Sequence, residues 1–252
     1  MNARQWPARM LAGMPPAGTT GRVGMGSWLP ECVSTYGPEI DRLFYVIYYV
    51  TGAVFFAVQL TLLAFVILYR HRDGRRATYT HGNTALEIAW TIAPAILLVI
   101  LAFVSRSVWA DIKEHVPPSD VQLQVTAKQF NWEVAYPGPD GKLGTDDDVT
   151  MDNDVHVPVG KTVRVLLKSR DVIHSFFIPN LRFKQDAVPG HEIPTWFKVT
   201  KPGKYEIPCA ELCGFGHSGM RGWLYVHPVE EYDAWVREHH AAPVGAPAQP
   251  GS

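Results

Sequence analysis

Residues 208–220 read PCAELCGFGHSGM, and this short stretch determines how the whole chain is interpreted. It places two thiols, one imidazole and one thioether within twelve residues, at Cys209, Cys213, His217 and Met220. The intervening glycines allow tight turns, because glycine adopts backbone conformations that other residues avoid. The spacing therefore predicts a loop that binds metal.

The types of ligand favour copper. Soft sulfur together with imidazole suits copper, and zinc is the main rival. A methionine three residues after a histidine is typical of the weak axial ligand at a mononuclear copper site, but that site needs only one cysteine. Cys209 and Cys213 lie four residues apart, so their thiolates can instead bridge two copper ions.

Two bridged ions need a second imidazole and one more donor. His174 is the best candidate for the imidazole, because it lies 35 residues before Cys209 in a segment that reads DVIHSFF. The backbone carbonyl of Glu211, between the cysteines, can complete the second ion. Such a closed ligand set suits electron transfer, since it leaves no position open for a substrate.

Three alternatives remain open at this point. The two cysteines with His174 and His217 could form one tetrahedral zinc site in an assembly domain. The chain could be a membrane-anchored copper carrier, although carriers need open sites that exchange metal. A disulfide between Cys209 and Cys213 would represent damage or a metal-free state, and Cys32 is a lone thiol with no assigned role.

The region around the loop has the pattern of β-strands. Short apolar or alternating runs are separated by Gly, Pro, Asn and Asp, which predicts a β-sandwich or barrel. The predicted strands cover residues 121–125, 162–167, 172–178, 195–199, 204–207 and 222–226. A polar helix is expected from about residue 230 to residue 239.

Two long uncharged runs precede this region. Residues 43–69 and 88–105 contain no Asp, Glu, Lys, Arg or His. A helix over the first run would be about 40 Å long, and a bilayer core is about 30 Å thick, so both runs can span it. Burial of both runs inside a soluble domain is the alternative, but a domain this small offers too little interior for them.

The loop between the runs orients them. Residues 70–76 contain four arginines, which marks the cytoplasmic side by the positive-inside rule. Both termini are then expected outside the cytoplasm. The predicted fold is a two-helix transmembrane hairpin in the inner (plasma) membrane, followed by an all-β sandwich. The sandwich is expected on the periplasmic or equivalent external side.

Composition excludes several other classes of protein. The 252 residues carry 23 Lys and Arg against 24 Asp and Glu, a net charge of -1, which argues against a nucleic-acid binder. Hydrophobic residues make up 47% of the chain, too many for wholesale disorder. Three cysteines are too few for a disulfide scaffold.

With these features in place, residues 34–232 resemble subunit II of the haem-copper cytochrome c oxidases. The loop 209–220 matches the copper A motif of that family at every ligand position, and residues 171–177 are similar to its first-histidine segment. The stretch EIAWTIAP at residues 87–94 resembles its second membrane span. Quinol oxidases of the family lack the copper ligands, so the resemblance points to the branch that uses cytochrome c.

The resemblance implies a cupredoxin-like domain that holds two copper ions. Cys209 and Cys213 would bridge the ions, and the other ligands would be His174, His217, Met220 and the carbonyl of Glu211. Electrons would pass from cytochrome c to copper A and then to haem in subunit I, where oxygen is reduced and protons are pumped. A nitric oxide reductase with the same copper domain is the alternative, because this chain does not contain the reducing site.

The resemblance also implies roles outside the copper ligands. The side chain of Glu211 would bind a magnesium ion shared with subunit I. Phe130, which stands where the family often has Trp, or Trp132 would receive the electron from the donor. Glu87, at the cytoplasmic end of the second span, would take up protons.

An acidic stretch supplies a prediction about the donor. Residues 133–154 contain seven acids and one base. Asp146, Asp147 and Asp148 are predicted to steer a basic cytochrome c to the domain. A merely solvated loop, or one that binds calcium through its carboxylates, is the alternative.

The sequence thus predicts four segments. Residues 1–40 form an external N-terminal segment, 41–112 the transmembrane hairpin, 113–238 the copper A domain and 239–252 a flexible tail. The expected partners are the haem-containing subunit I, other oxidase subunits, cytochrome c or a similar donor, and membrane lipid, but no nucleic acid.

Overall fold

The computed structural model describes residues 28–76 and 79–240. The described residues form two compact units, one of residues 38–115 and one of residues 28–37 together with 116–240. Most of the predicted N-terminal segment and tail lies outside the described residues. The boundaries drawn at residues 40, 112 and 238 stay predictions.

Two long helices, α1 (Gly37–Leu68) and α2 (Thr84–Lys113), cover the predicted membrane spans. Each helix contains an 18-residue window that is apolar enough to cross a membrane, and none of that window is buried. A helix packed in a soluble core buries one face. Apolar side chains exposed all around the helix are instead typical of a segment surrounded by lipid, as the uncharged runs predicted.

The start of α2 is set by its own sequence. The side chain of Asn83 accepts a hydrogen bond from the backbone N–H of Leu86 at 3.1 Å, which satisfies one of the free donors of the first turn. Glu87 lies in that first turn, where the positive end of the helix dipole favours a carboxylate. This position therefore has a structural reason for an acid, whatever else the acid does.

The second unit is a β-sandwich, which confirms the predicted fold class. Its strands are β1 (Val121–Lys128), β2 (Asn131–Tyr136), β3 (Val149–Asp152), β4 (Asp154–Pro158), β5 (Thr162–Ser169), β6 (His174–Ile178), β7 (Phe183–Ala187), β8 (Ile193–Lys198), β9 (Gly203–Pro208) and β10 (Arg221–His227), and a final helix, α3, covers Val229–His240. The strands form a five-stranded sheet in the order β3-β2-β1-β5-β8, a three-stranded sheet in the order β4-β10-β9 and the pair β6-β7.

The core follows from the period-two pattern of the strands. In β5, Val163, Val165 and Leu167 are fully buried, whereas Arg164 between them faces solvent. Successive side chains of a strand point to opposite faces, so each strand contributes one apolar row to the interior. Large side chains from both layers, Trp132, Phe176 and Phe197 among them, fill the space between the sheets.

Strands β2, β3, β4 and β7 were not predicted from the sequence. The strand β7 reads FKQDA and buries only its two ends, and β3 has only four residues. Such short, polar segments become strands because a neighbour pairs with them, and intrinsic preference contributes little. The pairings of β7 with β6 and of β3 with β2 therefore had no clear sequence signal.

Residues 28–37 pack along the sandwich and form backbone hydrogen bonds with it. Val33 is buried, its N–H donates to the carbonyl of Asn180 at 2.8 Å, and its carbonyl accepts from the N–H of Thr200 at 2.8 Å. Lys201 and Glu31 form an ion pair at 2.7 Å. The segment just before α1 is thus part of the β unit.

Candidate metal centre

The metal loop joins two paired strands. Arg221 at the start of β10 lies opposite Pro208 at the end of β9, and the N–H of Cys209 donates to the carbonyl of Met220 at 3.0 Å. The loop is therefore closed at its base, with Cys209 and Met220 side by side. A short helical turn at His217–Gly219 returns the chain to β10.

This closed loop brings four donor side chains and one backbone carbonyl together. The two thiol sulfurs, of Cys209 and Cys213, lie 3.8 Å apart. The Cys213 sulfur is also 3.5 Å from Nδ1 of His217 and 3.8 Å from the Met220 sulfur. The carbonyl oxygen of Glu211 lies 3.2 Å from the Cys209 sulfur. All four side chains predicted as loop ligands, and the predicted carbonyl, thus face one small volume.

The fifth side chain, His174, arrives from the neighbouring strand. It is the first residue of β6 and is completely buried. A bridge between Phe176 and Cys209 and a hydrogen bond of 3.0 Å from the Ala210 N–H to the Ser175 carbonyl hold β6 beside the loop. As a result Nδ1 of His174 lies 4.0 Å from the Cys209 sulfur.

A hydrogen bond to Asp171, on the side of the His174 ring away from the sulfurs, fixes the orientation of the ring. Its Nε2 lies 2.8 Å from Oδ1 of Asp171. A ring nitrogen that donates to a carboxylate leaves the other nitrogen unprotonated in neutral imidazole. The lone pair of Nδ1 therefore points toward the sulfurs, as a metal ligand requires.

Burial controls the charge of this cluster. Burial, reinforced by the adjacent Cys209, raises the pKa of the Cys213 thiol to about 11. Partial burial alone would raise the pKa of Asp171, but hydrogen bonds from His174 and two backbone N–H groups outweigh it and hold the pKa below its usual value. At neutral pH the metal-free site therefore holds a protonated Cys213 beside an ionised carboxylate.

The distances between the donors fit shared metal ions. Both cysteines are free thiols, and their 3.8 Å separation is far longer than a disulfide bond of about 2.05 Å. Two thiolates bound to one ion at about 2.3 Å each lie about 3.8 Å apart at the tetrahedral angle. The donor set of two sulfurs, imidazole and thioether is the soft kind that suits copper.

The two predicted electron-receiving residues differ in exposure. Phe130 is 39% exposed and packs on the loop, since a Cβ added at Gly216 would lie 2.5 Å from its ring. Trp132 is completely buried, with its ring edge-on to His174 at a centroid distance of 6.1 Å. Only Phe130 of this pair can touch another protein.

The structure does not bring the predicted docking acids to this end of the sandwich. Phe130 lies in the turn before β2, whereas Asp146, Asp147 and Asp148 come just before β3. Because Val149 of β3 pairs with Tyr136 at the far end of β2, the acids lie at the opposite end of this hairpin. Carboxylates of this group accept hydrogen bonds within their own loop; for example, Asp147 accepts one from the hydroxyl of Thr145.

Two predicted carboxylates are exposed, and two residues without a predicted role lie near the donor groups. The side chain of Glu211, within the metal loop, is exposed, and Glu87 is exposed on α2. Sequence reasoning assigned no role to Asp171 or Gln129. Asp171 stands within residues 171–177, which the resemblance singled out, and Gln129 directly precedes Phe130, but their contacts depend on strands that only the fold brings together.

Comparisons with known proteins give two family matches. Residues 123–224 match the family model described as cytochrome C oxidase subunit II, periplasmic domain. Residues 22–108 match the model described as cytochrome C oxidase subunit II, transmembrane domain. The two matches together cover both structural units.

Two curated relatives give the same result. The alternative cytochrome c oxidase subunit 2 of Bradyrhizobium diazoefficiens is 32% identical over 233 residues, which cover 84% of this chain and 83% of that protein. The cytochrome c oxidase subunit 2 of Thermostichus vulcanus is 31% identical, with coverage of 84% and 79%. The crystal structure of the periplasmic domain of subunit II of cytochrome oxidase from Bradyrhizobium japonicum is 33% identical, with a TM-score of 0.45, and the match covers 50% of this chain and 97% of that one.

Proposed function

Since this chain belongs to the cytochrome c oxidase subunit II family and is subunit II of a haem-copper oxidase, we propose that it receives electrons from cytochrome c at a two-copper centre. It then passes them to haem in subunit I, where oxygen is reduced and protons are pumped. The observation that carries this proposal is the convergence of Cys209, Cys213, His174, His217 and Met220 at one end of the sandwich.

The arrangement of the imidazoles favours two ions over one. The ligand atoms of His174, Cys209 and Cys213 all lie within 4.8 Å of one another, and His217 is not part of that group. His174 approaches Cys209, whereas His217 approaches Cys213. A single tetrahedral zinc ion would need all four ligand atoms around one point, so two ions bridged by the thiolates fit better, with one imidazole for each.

Burial of the ligands favours an electron relay over a copper carrier. Both cysteines, His174 and Met220 are buried and His217 is half-buried, so a metal held by these side chains would have little access to a substrate or to an exchange partner. When bound, a thiolate-bridged copper pair supplies one-electron redox chemistry. The sandwich holds the ligands in place and keeps most of them away from water. An electron can arrive through the exposed aromatic ring of Phe130.

We propose Phe130 as the residue at which the donor contacts this chain. It is the exposed member of the predicted pair and lies against the metal loop. Trp132 then has a packing role behind His174. Asp146, Asp147 and Asp148 act as a source of long-range attraction for a basic donor, since the hairpin separates them from Phe130.

The remaining assignments concern the membrane and subunit I. The arginines of residues 70–76 support a cytoplasmic position for that loop, so we propose that the sandwich lies on the periplasmic side of the inner membrane. Glu87 at the start of α2 is then at the cytoplasmic side, where it can receive protons. The exposed carboxylate of Glu211 is available for a magnesium ion shared with subunit I.

The test uses the full-length chain in detergent, loaded with copper and measured by metal analysis and electron paramagnetic resonance. We expect two copper ions per chain and one unpaired electron shared by both nuclei. Cys213→Ser should abolish the shared signal, whereas Cys32→Ser, the matched control outside the loop, should keep it. One copper per chain with a single-nucleus signal, or a preference for zinc over copper, would refute the proposal.

A further inference from the structure

The chain crosses from one sheet to the other just before His174. Residues 170–173 connect β5 of the five-stranded sheet to β6, and their path sets the position of the His174 ring. The N–H of Arg170 donates to the carbonyl of Ala127 at 3.0 Å, and its guanidinium donates to Glu133. The crossover is therefore fixed to β1 and β2 before it reaches the site.

The carboxylate of Asp171 is the centre of this crossover. Oδ1 accepts from Nε2 of His174 at 2.8 Å and from the Val172 N–H at 2.7 Å. Oδ2 accepts from the N–H of Gln129 at 2.7 Å. One side chain thus joins a buried histidine to the turn between β1 and β2.

Gln129 extends the connection to the metal loop. Its side-chain amide donates to the carbonyl of Cys213. The same residue therefore contacts Asp171 through its backbone and Cys213 through its side chain. The path His174–Asp171–Gln129–Cys213 has a hydrogen bond at each of its three steps and connects three segments that are distant in sequence.

We propose that Asp171 and Gln129 are paired positioning residues, which hold His174 and Cys213 in their metal-binding arrangement through this path. The inference rests on the proposed copper function. Asp171 fixes the tautomer and the direction of the His174 ring, and Gln129 fixes the backbone of the loop at Cys213. Neither residue binds metal itself.

The test compares full-length variants in detergent with the parent chain. Asp171→Asn preserves shape but replaces one carboxylate oxygen with an amide nitrogen, which cannot accept a hydrogen bond, so the contact with either His174 or Gln129 is lost. Gln129→Met preserves length, keeps the backbone contact to Asp171 and removes only the donor to Cys213. Asp186→Asn is the matched control, because Asp186 accepts from the hydroxyl of Ser175 at 2.6 Å and contacts none of the proposed ligands.

The readouts are copper affinity by competition with a chelator, reduction potential, and the hyperfine pattern of the copper signal. Loss of an outer partner of a ligand typically lowers metal affinity about 10–100-fold, so we expect a loss in that range for Asp171→Asn. We expect a smaller loss for Gln129→Met, and a changed potential and hyperfine pattern in both. Asp186→Asn should match the parent in all three.

Several outcomes would overturn the inference. If Asp171→Asn and Gln129→Met match the parent in affinity, potential and hyperfine pattern, the path does not position the ligands. If only Gln129→Met matches the parent, the role of Gln129 is refuted. If Asp171→Asn fails to fold by circular dichroism, Gln129→Met decides. A parent chain that does not bind two copper ions would instead refute the proposed function, which separates the two failures.

Discussion

Nδ1 of His156 lies 2.9 Å from Nε2 of His227, so two imidazoles form a hydrogen bond inside the sandwich. Both residues are buried. The parallel pairing of β4 with β10 brings them together, and the His156 ring stacks between Tyr225 and Trp235 at centroid distances of 4.7 and 4.6 Å. Since one nitrogen must donate and the other accept, the bond requires that the accepting nitrogen carry no proton and that its ring be neutral.

This pair predicts that the β-sandwich loses stability as the pH falls below about 6.5. Burial, followed by the nearby His227 and His239, lowers the pKa of His156 to about 3, and burial also lowers the pKa of His227. An unfolded histidine titrates near pH 6.5. Between these values the unfolded chain holds more protons than the folded one, so the free energy of unfolding rises with pH.

Each pKa unit corresponds to about 1.4 kcal/mol, so the loss between pH 6.5 and pH 3 is on the order of a few kcal/mol. The measurement is urea unfolding followed by tryptophan fluorescence between pH 5 and pH 7, above the range in which most carboxylates titrate. His156→Phe, which keeps an aromatic ring in the stack, should flatten the slope, whereas His191→Gln at an exposed site should not. An equal slope in His156→Phe would contradict the prediction.

Metal loading should release protons from the site. Because the pKa of Cys213 is raised to about 11, this thiol is protonated at neutral pH and must lose its proton to bind metal. We expect at least about one proton released per chain at pH 7, and an apparent copper affinity that falls as the pH is lowered. An indicator dye in weakly buffered solution measures the release.

The same experiment has two informative variants. Cys213→Ser should release fewer protons than the parent, and Cys32→Ser should release the same number. Proton release that does not change in Cys213→Ser would show that another group supplies the protons.

Gly216→Ala should displace Phe130 from the metal loop. A Cβ at this position would lie 2.5 Å from the Phe130 ring, and overpacking of this size typically costs about 1–3 kcal/mol. We expect slower electron uptake from reduced cytochrome c in the assembled oxidase, measured by stopped-flow absorption. Gly219→Ala is the matched control, because a Cβ there would meet nothing within 4 Å. Equal rates in the two variants would show that the position of Phe130 does not limit uptake.

The sequence predicted the parts of this protein that local patterns determine. The uncharged runs predicted α1 and α2, since hydrophobicity over about 20 residues is sufficient for a membrane span. The cluster of donor side chains from Cys209 to Met220 could be recognised from the sequence because all of them lie in one loop. His174 was identified by chemical need and by resemblance, although it lies 35 residues from Cys209.

Features that depend on strand pairing could not be predicted in this way. The contact of His156 with His227 requires the parallel register of β4 and β10, and β4 was not predicted. The path from His174 through Asp171 and Gln129 requires the crossover and the β1–β2 turn to meet. Nothing local in these residues specifies which distant segment they contact.

The position of Asp146, Asp147 and Asp148 leads to a prediction about ionic strength. The hairpin strand β2 has six residues, so at about 3.3 Å per residue the acids lie about 20 Å from Phe130 along the strand. That distance is more than twice the Debye length of about 8 Å at physiological salt, but less than the length of about 30 Å at 0.01 M. Their attraction for a basic donor should therefore act only at low salt.

The variant that tests this is the triple change Asp146→Asn, Asp147→Asn and Asp148→Asn, because asparagine has the shape of aspartate, removes the charge and keeps one side-chain oxygen that can accept a hydrogen bond within the loop. We expect it to slow the oxidation of cytochrome c by the assembled oxidase several-fold at 0.01 M salt and to have little effect at 0.15 M. Asp120→Asn, also on the sandwich surface, controls for the loss of a single charge elsewhere. A loss of equal size at both salt concentrations would mean that the acids touch the donor directly, and no loss at low salt would mean that they do not steer it.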